Sequence, residues 1–94
     1  MKIVLLDGEK IKTKADVHKA FSETLDFPEY YGNNLDALHD MLTEGTDEIG
    51  VIAVNTEMLS ENLGKWWKSL IRLLRDVAND RESFHVSVEP FVKN

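Results

Sequence analysis

Cysteine is absent from the 94 residues, which excludes a disulfide scaffold and a thiolate zinc site and fits a reducing compartment. Also missing are a glycine- or serine-rich linker, an internal repeat and any low-complexity run, so residues 1 to 94 read as one small domain. The opening lacks a long hydrophobic run. Ile3 to Leu6 is a four-residue apolar stretch stopped by Asp7, too short for a signal segment or a membrane span. A cytoplasmic location is the simplest expectation. Positive charge is in deficit, with 11 Lys and Arg against 17 Asp and Glu and a formal net charge of −6. That balance argues against a nucleic-acid surface and for a cationic partner, unless acidity serves only solubility. What the chain does have is 43% hydrophobic residues and two tryptophans, so its 30% charged content reads as surface rather than disorder.

The hydrophobic pattern alternates between strand and helix. Ile3 to Leu6 has the form of a short strand, and Asp7-Gly8 supplies turn chemistry after it. Lys10 to Lys12 is too short and too charged to return as the second arm of a hairpin. Thr13 followed by Asp16 predicts an N-cap with an acidic first turn, and Val17, Ala20, Phe21 and Leu25 trace one apolar stripe of a helix ending before Pro28. In the next helix Leu35, Ala37, Leu38, Met41 and Leu42 share one arc, with Asp36, His39, Asp40 and Thr43 opposite. Gly45 breaks that pattern. Val51 to Val54 is a continuous apolar run, expected to form a central strand buried on both faces. Residues 65 to 80 predict a core-facing helix, with both tryptophans on the apolar arc and Lys68, Arg72, Arg75 and Asn79 on the other. Phe84, Val86 and Val88 alternate with His85 and Ser87 in a last strand that Pro90 closes. Strands separated by helices imply right-handed parallel crossovers and an α/β fold.

The acidic arc of the second helix admits three chemical readings. Asp36 and Asp40, one turn apart, could act as an acid–base pair, or with His39 bind a divalent metal. A catalytic pair sits in a cleft that separates its pKa values, whereas an i,i+4 pair on a solvated helix only repels weakly. A metal site wants further ligands, and His18 and His85 lie on other elements without ligand spacing. Asp36 also suits a helix N-terminus as a first-turn anion, which makes a solvated face the plainest account. The preceding loop changes the balance toward protein recognition. Two tyrosines offer rigid contact area, Gly32 lets a partner approach the backbone, and Asn34 can cap the helix or bond across an interface. His18 is expected on the first helix surface or in a local hydrogen bond. The tryptophans are expected to pack in the core rather than stack on bases.

The stretch Pro28-Glu-Tyr-Tyr-Gly-Asn-Asn-Leu-Asp-Ala-Leu38, continued by Asp40 and Thr43, resembles the hallmark of the barstar family of intracellular ribonuclease inhibitors. The resemblance implies a barstar-like single domain with a three-stranded parallel sheet in the order 1-2-3, packed with helices. It also implies an inhibitor with no enzymatic activity, cofactor or metal, which binds no nucleic acid or membrane directly. The implied partner is a basic ribonuclease of the extracellular type, barnase-like or divergent. On the same basis Asp40 takes the place of RNA phosphate among the nuclease's cations, Asp36 supports it, and Tyr30, Gly32, Asn34, Leu35, His39 and Thr43 surround it. Tyr31 is the tyrosine left to pack beneath the loop. Asp76 and Asp80, on the last helix, form the weaker half of the site, with Arg72 placed to neutralise Asp76 in part. The sequence departs from the family pattern in two places. His39 stands where tryptophan is common, and Glu44-Gly45-Thr46 replaces a glycine followed by an aromatic. Loss of two aromatic anchors points to lower affinity or a partner other than barnase. The alternative is a barstar-like interaction domain whose target is not a ribonuclease.

Overall fold

The apolar run Ile3 to Leu6 forms a first strand, β1, Lys2–Asp7, whose burial alternates along it, and the computed structural model, which describes residues 1–89, carries the expected elements in the expected order, with one helix added. Pro90, expected to close the last strand, lies outside the described residues. After β1 the Asp7 carbonyl accepts from the amides of Lys10 and Ile11, and its carboxylate accepts from the Glu9 amide and from Asn55. The bond from Asn55, with that of Glu9, holds the Asp7 carboxyl below its ordinary value. Helix α1, Lys14–Leu25, opens with a capping box: Thr13 Oγ1 accepts from the Asp16 amide at 3.2 Å, and the Asp16 carboxylate accepts from the Thr13 amide at 3.1 Å. The backbone N–H groups of Lys12 and Thr13 keep the Asp16 carboxyl below its usual value.

Helix α2, Leu35–Glu44, leads to β2, Ile49–Val54; α3, Thr56–Leu63, and α4, Lys65–Asp80, lead to β3, Phe84–Val88. The sheet is parallel in the order β1-β2-β3, with Val4, Val51 and Val86 in register. Both crossovers step the same way across the sheet, so right-handed connections send all the helices to one face. The core forms there. Val4, Leu6, Val51, Ala53 and Phe84 from the sheet meet Phe21, Leu38, Leu42, Leu59, Leu70 and Leu74 from the helices.

One expectation is corrected on the other face. β2 is not buried on both sides: Ile52 and Val54 are only half-buried, and beside them on β1 Ile3 and Leu5 are 43% and 51% exposed. Gly50 alone is covered there, because Met1 and Ile3 lie over it; an added Cβ would come 2.9 Å from Ile3 Cδ1. The unbroken apolar run of β2 therefore reflects β-branched preference as well as burial. Helix α3 was not anticipated. It is short, and Asn55 at its N-cap has a left-handed backbone and no side-chain capping bond, so the usual start signal is missing. Its signal was the Leu59 and Leu63 pair one turn apart, followed by Gly64.

Candidate protein-binding face

The loop between α1 and α2 is built around the two tyrosines. A turn closes from the Tyr31 amide to the Pro28 carbonyl, Asn33 takes a left-handed conformation at φ 52°, and Asn34 then caps α2 by accepting from the Ala37 amide at 2.8 Å. The Asn34 amide group also donates to the Gly32 carbonyl. A Cβ at Gly32 would stand 3.1 Å from that amide nitrogen, so the glycine leaves room for the cap. Within this turn the tyrosines diverge. Tyr31 is 8% exposed and packs against Phe27 with ring centroids 4.8 Å apart, whereas Tyr30 is 82% exposed.

Beneath Tyr31 lies His18: of the two positions expected for it, the helix surface is corrected, and the hydrogen bond is present but reaches a residue 13 positions on. The imidazole is 3% exposed, its Nδ1 lies 2.5 Å from the Tyr31 hydroxyl, and its ring meets the edge of Trp66 at 5.6 Å. Burial pushes the Tyr31 phenol up to about 12 and pushes His18 below its ordinary value. Trp67 enters the core, and Trp66 is half-buried, with the Lys14 ammonium 5.9 Å from its ring.

On α2 the apolar arc buries Leu38 and Leu42 and leaves Asp36, Asp40 and Thr43 exposed. The Thr43 hydroxyl donates back to the His39 carbonyl, so it is already committed to its own helix. Sequence reasoning missed Arg81. It donates to the Leu42 and Asp47 carbonyls and to the Ser83 hydroxyl, tying the C-terminal end of α2 to the segment before β3. An arginine just after a helix gives no such signal; its two carbonyl partners are 39 and 34 residues away.

The acidic arc divides between two open depressions. Asp36 and His39 line a groove of about 260 Å³ between α2 and α4, with Leu35, Ser69, Arg72, Leu73 and Asp76. Asp40 lines another of about 290 Å³, with Tyr30, Tyr31, Gly32, Ala37, Met41 and Glu44. Asp76 thus joins Asp36, while Asp80, though exposed on α4, lines neither. Arg72 forms no ion pair with Asp76; among the described residues the Lys or Arg ion pair is Lys2–Asp47, and His85 Nε2 lies in hydrogen-bond contact with the Glu48 carboxylate at 3.2 Å. Nor, among them, does any group of three His, Asp or Glu converge as metal ligands, and no helix is long and apolar enough to cross a membrane.

Residues 1–89 match the family model described as Barstar (barnase inhibitor). Over 91 residues the chain is 29% identical to a protein of Bacillus subtilis (strain 168) named "Putative ribonuclease inhibitor YrdF", an alignment covering 95% of this chain and 100% of that one.

Proposed function

Because the chain belongs to the barstar family, we propose that it inhibits a basic ribonuclease by seating Asp40 in the cationic pocket that holds RNA phosphate. The observation that carries this is the placement of an exposed carboxylate beside Tyr30 and Gly32, on a helix fixed at one end by Asn34 and at the other by Arg81. A nuclease that cleaves RNA gathers Arg, Lys and His around phosphate, and a pre-positioned carboxylate meets the same groups without reorganising. Asp36, His39, Leu35 and Asp76 form a second contact region across the α2–α4 groove, and Asp80 contributes by long-range attraction. Thr43 and Asn34 act mainly by shaping the helix that presents these groups. The protein performs no chemistry on RNA; its action is occlusion.

The absence of tryptophan at position 39 and of an aromatic after Thr43 supports a partner whose surface differs from that of barnase. A basic protein that is not a ribonuclease is the alternative on the same ground. Purified chain titrated against a small basic ribonuclease cleaving an RNA substrate tests the reading. Stoichiometric loss of cleavage, relieved by salt through a slower on-rate, is the expected result. Tight binding to a basic protein from the same host without any effect on RNA cleavage would overturn it in favour of the alternative.

A further inference from the structure

A third depression, of about 260 Å³, opens beside the one around Asp40 and shares Met41 and Glu44 with it. Its floor is apolar: Leu25, Phe27, Pro28 and Met41 are half-buried and Ile49 is buried. Helices α1 and α2 both end on this depression, α1 at Leu25 and α2 at Glu44. A helix C-terminus carries partial negative charge and favours a basic residue in its last turn. Neither helix has one. Instead the C-cap of α1 is Asp26, with a left-handed backbone at φ 56° where glycine or asparagine is usual, and the last residue of α2 is Glu44. Each carboxylate stands where its own helix repels it. Both are exposed, and neither has an ion-pair partner among the described residues. The two cations that line the depression are engaged elsewhere. Lys2 pairs with Asp47 at 3.5 Å, and the three guanidinium nitrogens of Arg81 donate to the Leu42 and Asp47 carbonyls and to the Ser83 hydroxyl.

We propose that this depression receives a lysine or arginine side chain of the partner, its aliphatic stem lying on Phe27 and Met41 and its cationic head meeting Asp26 and Glu44. An apolar floor alone would take any aliphatic group, and two exposed carboxylates alone would be a solvated rim. Together they match a side chain that is apolar along its stem and charged at its tip. Placing both carboxylates at helix C-termini breaks a local preference, and such breaks concentrate at functional sites. The arriving cation removes the repulsion, so the disfavoured placement becomes favourable only in the complex. The proposal rests on the inhibitor reading, because Met41 and Glu44 make the depression continuous with the one around Asp40, and a basic ribonuclease is rich in the side chains that fit it.

A first readout needs no partner. The probe is n-butylguanidinium, which carries the stem and the head in one small molecule. Titrated into the free protein, it should shift the methyl resonances of Met41 and Ile49 and the Gly45 amide saturably. Guanidinium, which lacks the stem, and 1-butanol, which lacks the charge, should each shift them less at the same concentration. The double variant Asp26→Asn with Glu44→Gln should lose the response. A response equal to that of 1-butanol, or one that the double variant keeps, overturns the proposal. Should the variant misfold, the three probes on the wild type still decide.

A second readout takes thermal unfolding and inhibition of a small basic ribonuclease by the same variant, in which Asp40 is intact. Its melting temperature should hold or rise, since both helix ends lose a like charge and asparagine suits the left-handed position. The ribonuclease should nevertheless dissociate severalfold faster than from the wild type. Inhibition equal to that of the wild type overturns the docking of a cationic side chain; weaker inhibition with a lowered melting temperature overturns it too, by assigning the two carboxylates to folding. If the wild type inhibits no ribonuclease, the inhibitor reading falls, and the n-butylguanidinium response alone decides whether the depression is a site for such side chains.

Discussion

The molecule exposes two faces that differ in kind. One is the helical side, where α2 and its loop hold Tyr30, Asp36 and Asp40 in open depressions; the other is the bare side of the sheet, where Ile3, Leu5, Ile52 and Val54 meet solvent. The helical face has polar, directional groups backed by fixed supports: the Asn34 cap, the Arg81 bonds and the packed Tyr31. The sheet face has aliphatic side chains on β1 and β2 and, at its β3 edge, Ser87 and a His85 that bonds the Glu48 carboxylate. Hydrophobic exposure alone therefore marks the less informative surface here, because neighbouring aliphatic groups on an uncovered sheet face follow from the topology of two crossovers to one side. Preorganised charge distinguishes the other.

The sharpest test of that contrast is Asp40→Ala. Binding to a basic ribonuclease should weaken by at least about 2 kcal/mol, the threshold that defines a hot spot. Thermal unfolding should stay where it was, since an exposed helical Asp replaced by Ala loses little packing and gains helix propensity. Full inhibition by the variant would remove Asp40 from the centre of the face; lost inhibition with a lowered melting point would assign it to folding instead.

Asn34→Ala probes the support rather than the contact. Losing the cap of α2 should cost about 1 kcal/mol of stability, read by denaturant unfolding, and binding should fall along with it. Unchanged stability would mean that the loop holds the helix start without the cap.

His39→Trp asks whether the α2–α4 groove belongs to the same interface. An added ring beside Leu35 and Leu73 should gain roughly 0.5–1.5 kcal/mol against a ribonuclease with room for it. Equal affinities of the two proteins in a titration would confine the energetic centre to the depression around Asp40.

The smallest expected effect belongs to the sheet face. Leu5→Thr brings in a β-branched residue suited to a strand and removes little buried area, so stability should change by no more than about 0.5 kcal/mol and inhibition not at all. A loss of binding comparable to that of Asp40→Ala would abolish the contrast and make the sheet face an interface.

Some of this was legible without coordinates, and the reasons are local. The Thr13–Asp16 capping box, the helix from Lys65 to Asp80 and the opposed arcs of α2 depend on residues three or four apart, and the chain carries that information in its spacing. The family motif marked the loop and pointed to Tyr30 rather than Tyr31 as the exposed ring. Other features depend on residues far apart in sequence. His18 lies 13 residues before Tyr31, and a helical histidine beside a valine gives no hint of a phenol above it. Arg81 reads as a surface charge until the fold brings the end of α2 to it.

By itself, then, the sequence determined the three strands, the helices other than α3, the acidic arc and the aromatic loop, because each is a matter of period, cap and turn within a few residues. Tertiary structure alone decided which side of β2 would be covered, since an apolar run is the same run whether helices lie on one face or on both. It also divided one acidic arc into two depressions, with Asp36 facing α4 and Asp40 facing the tyrosine loop. A helical wheel records angle about a single axis; the neighbour that each angle meets is set by packing between helices.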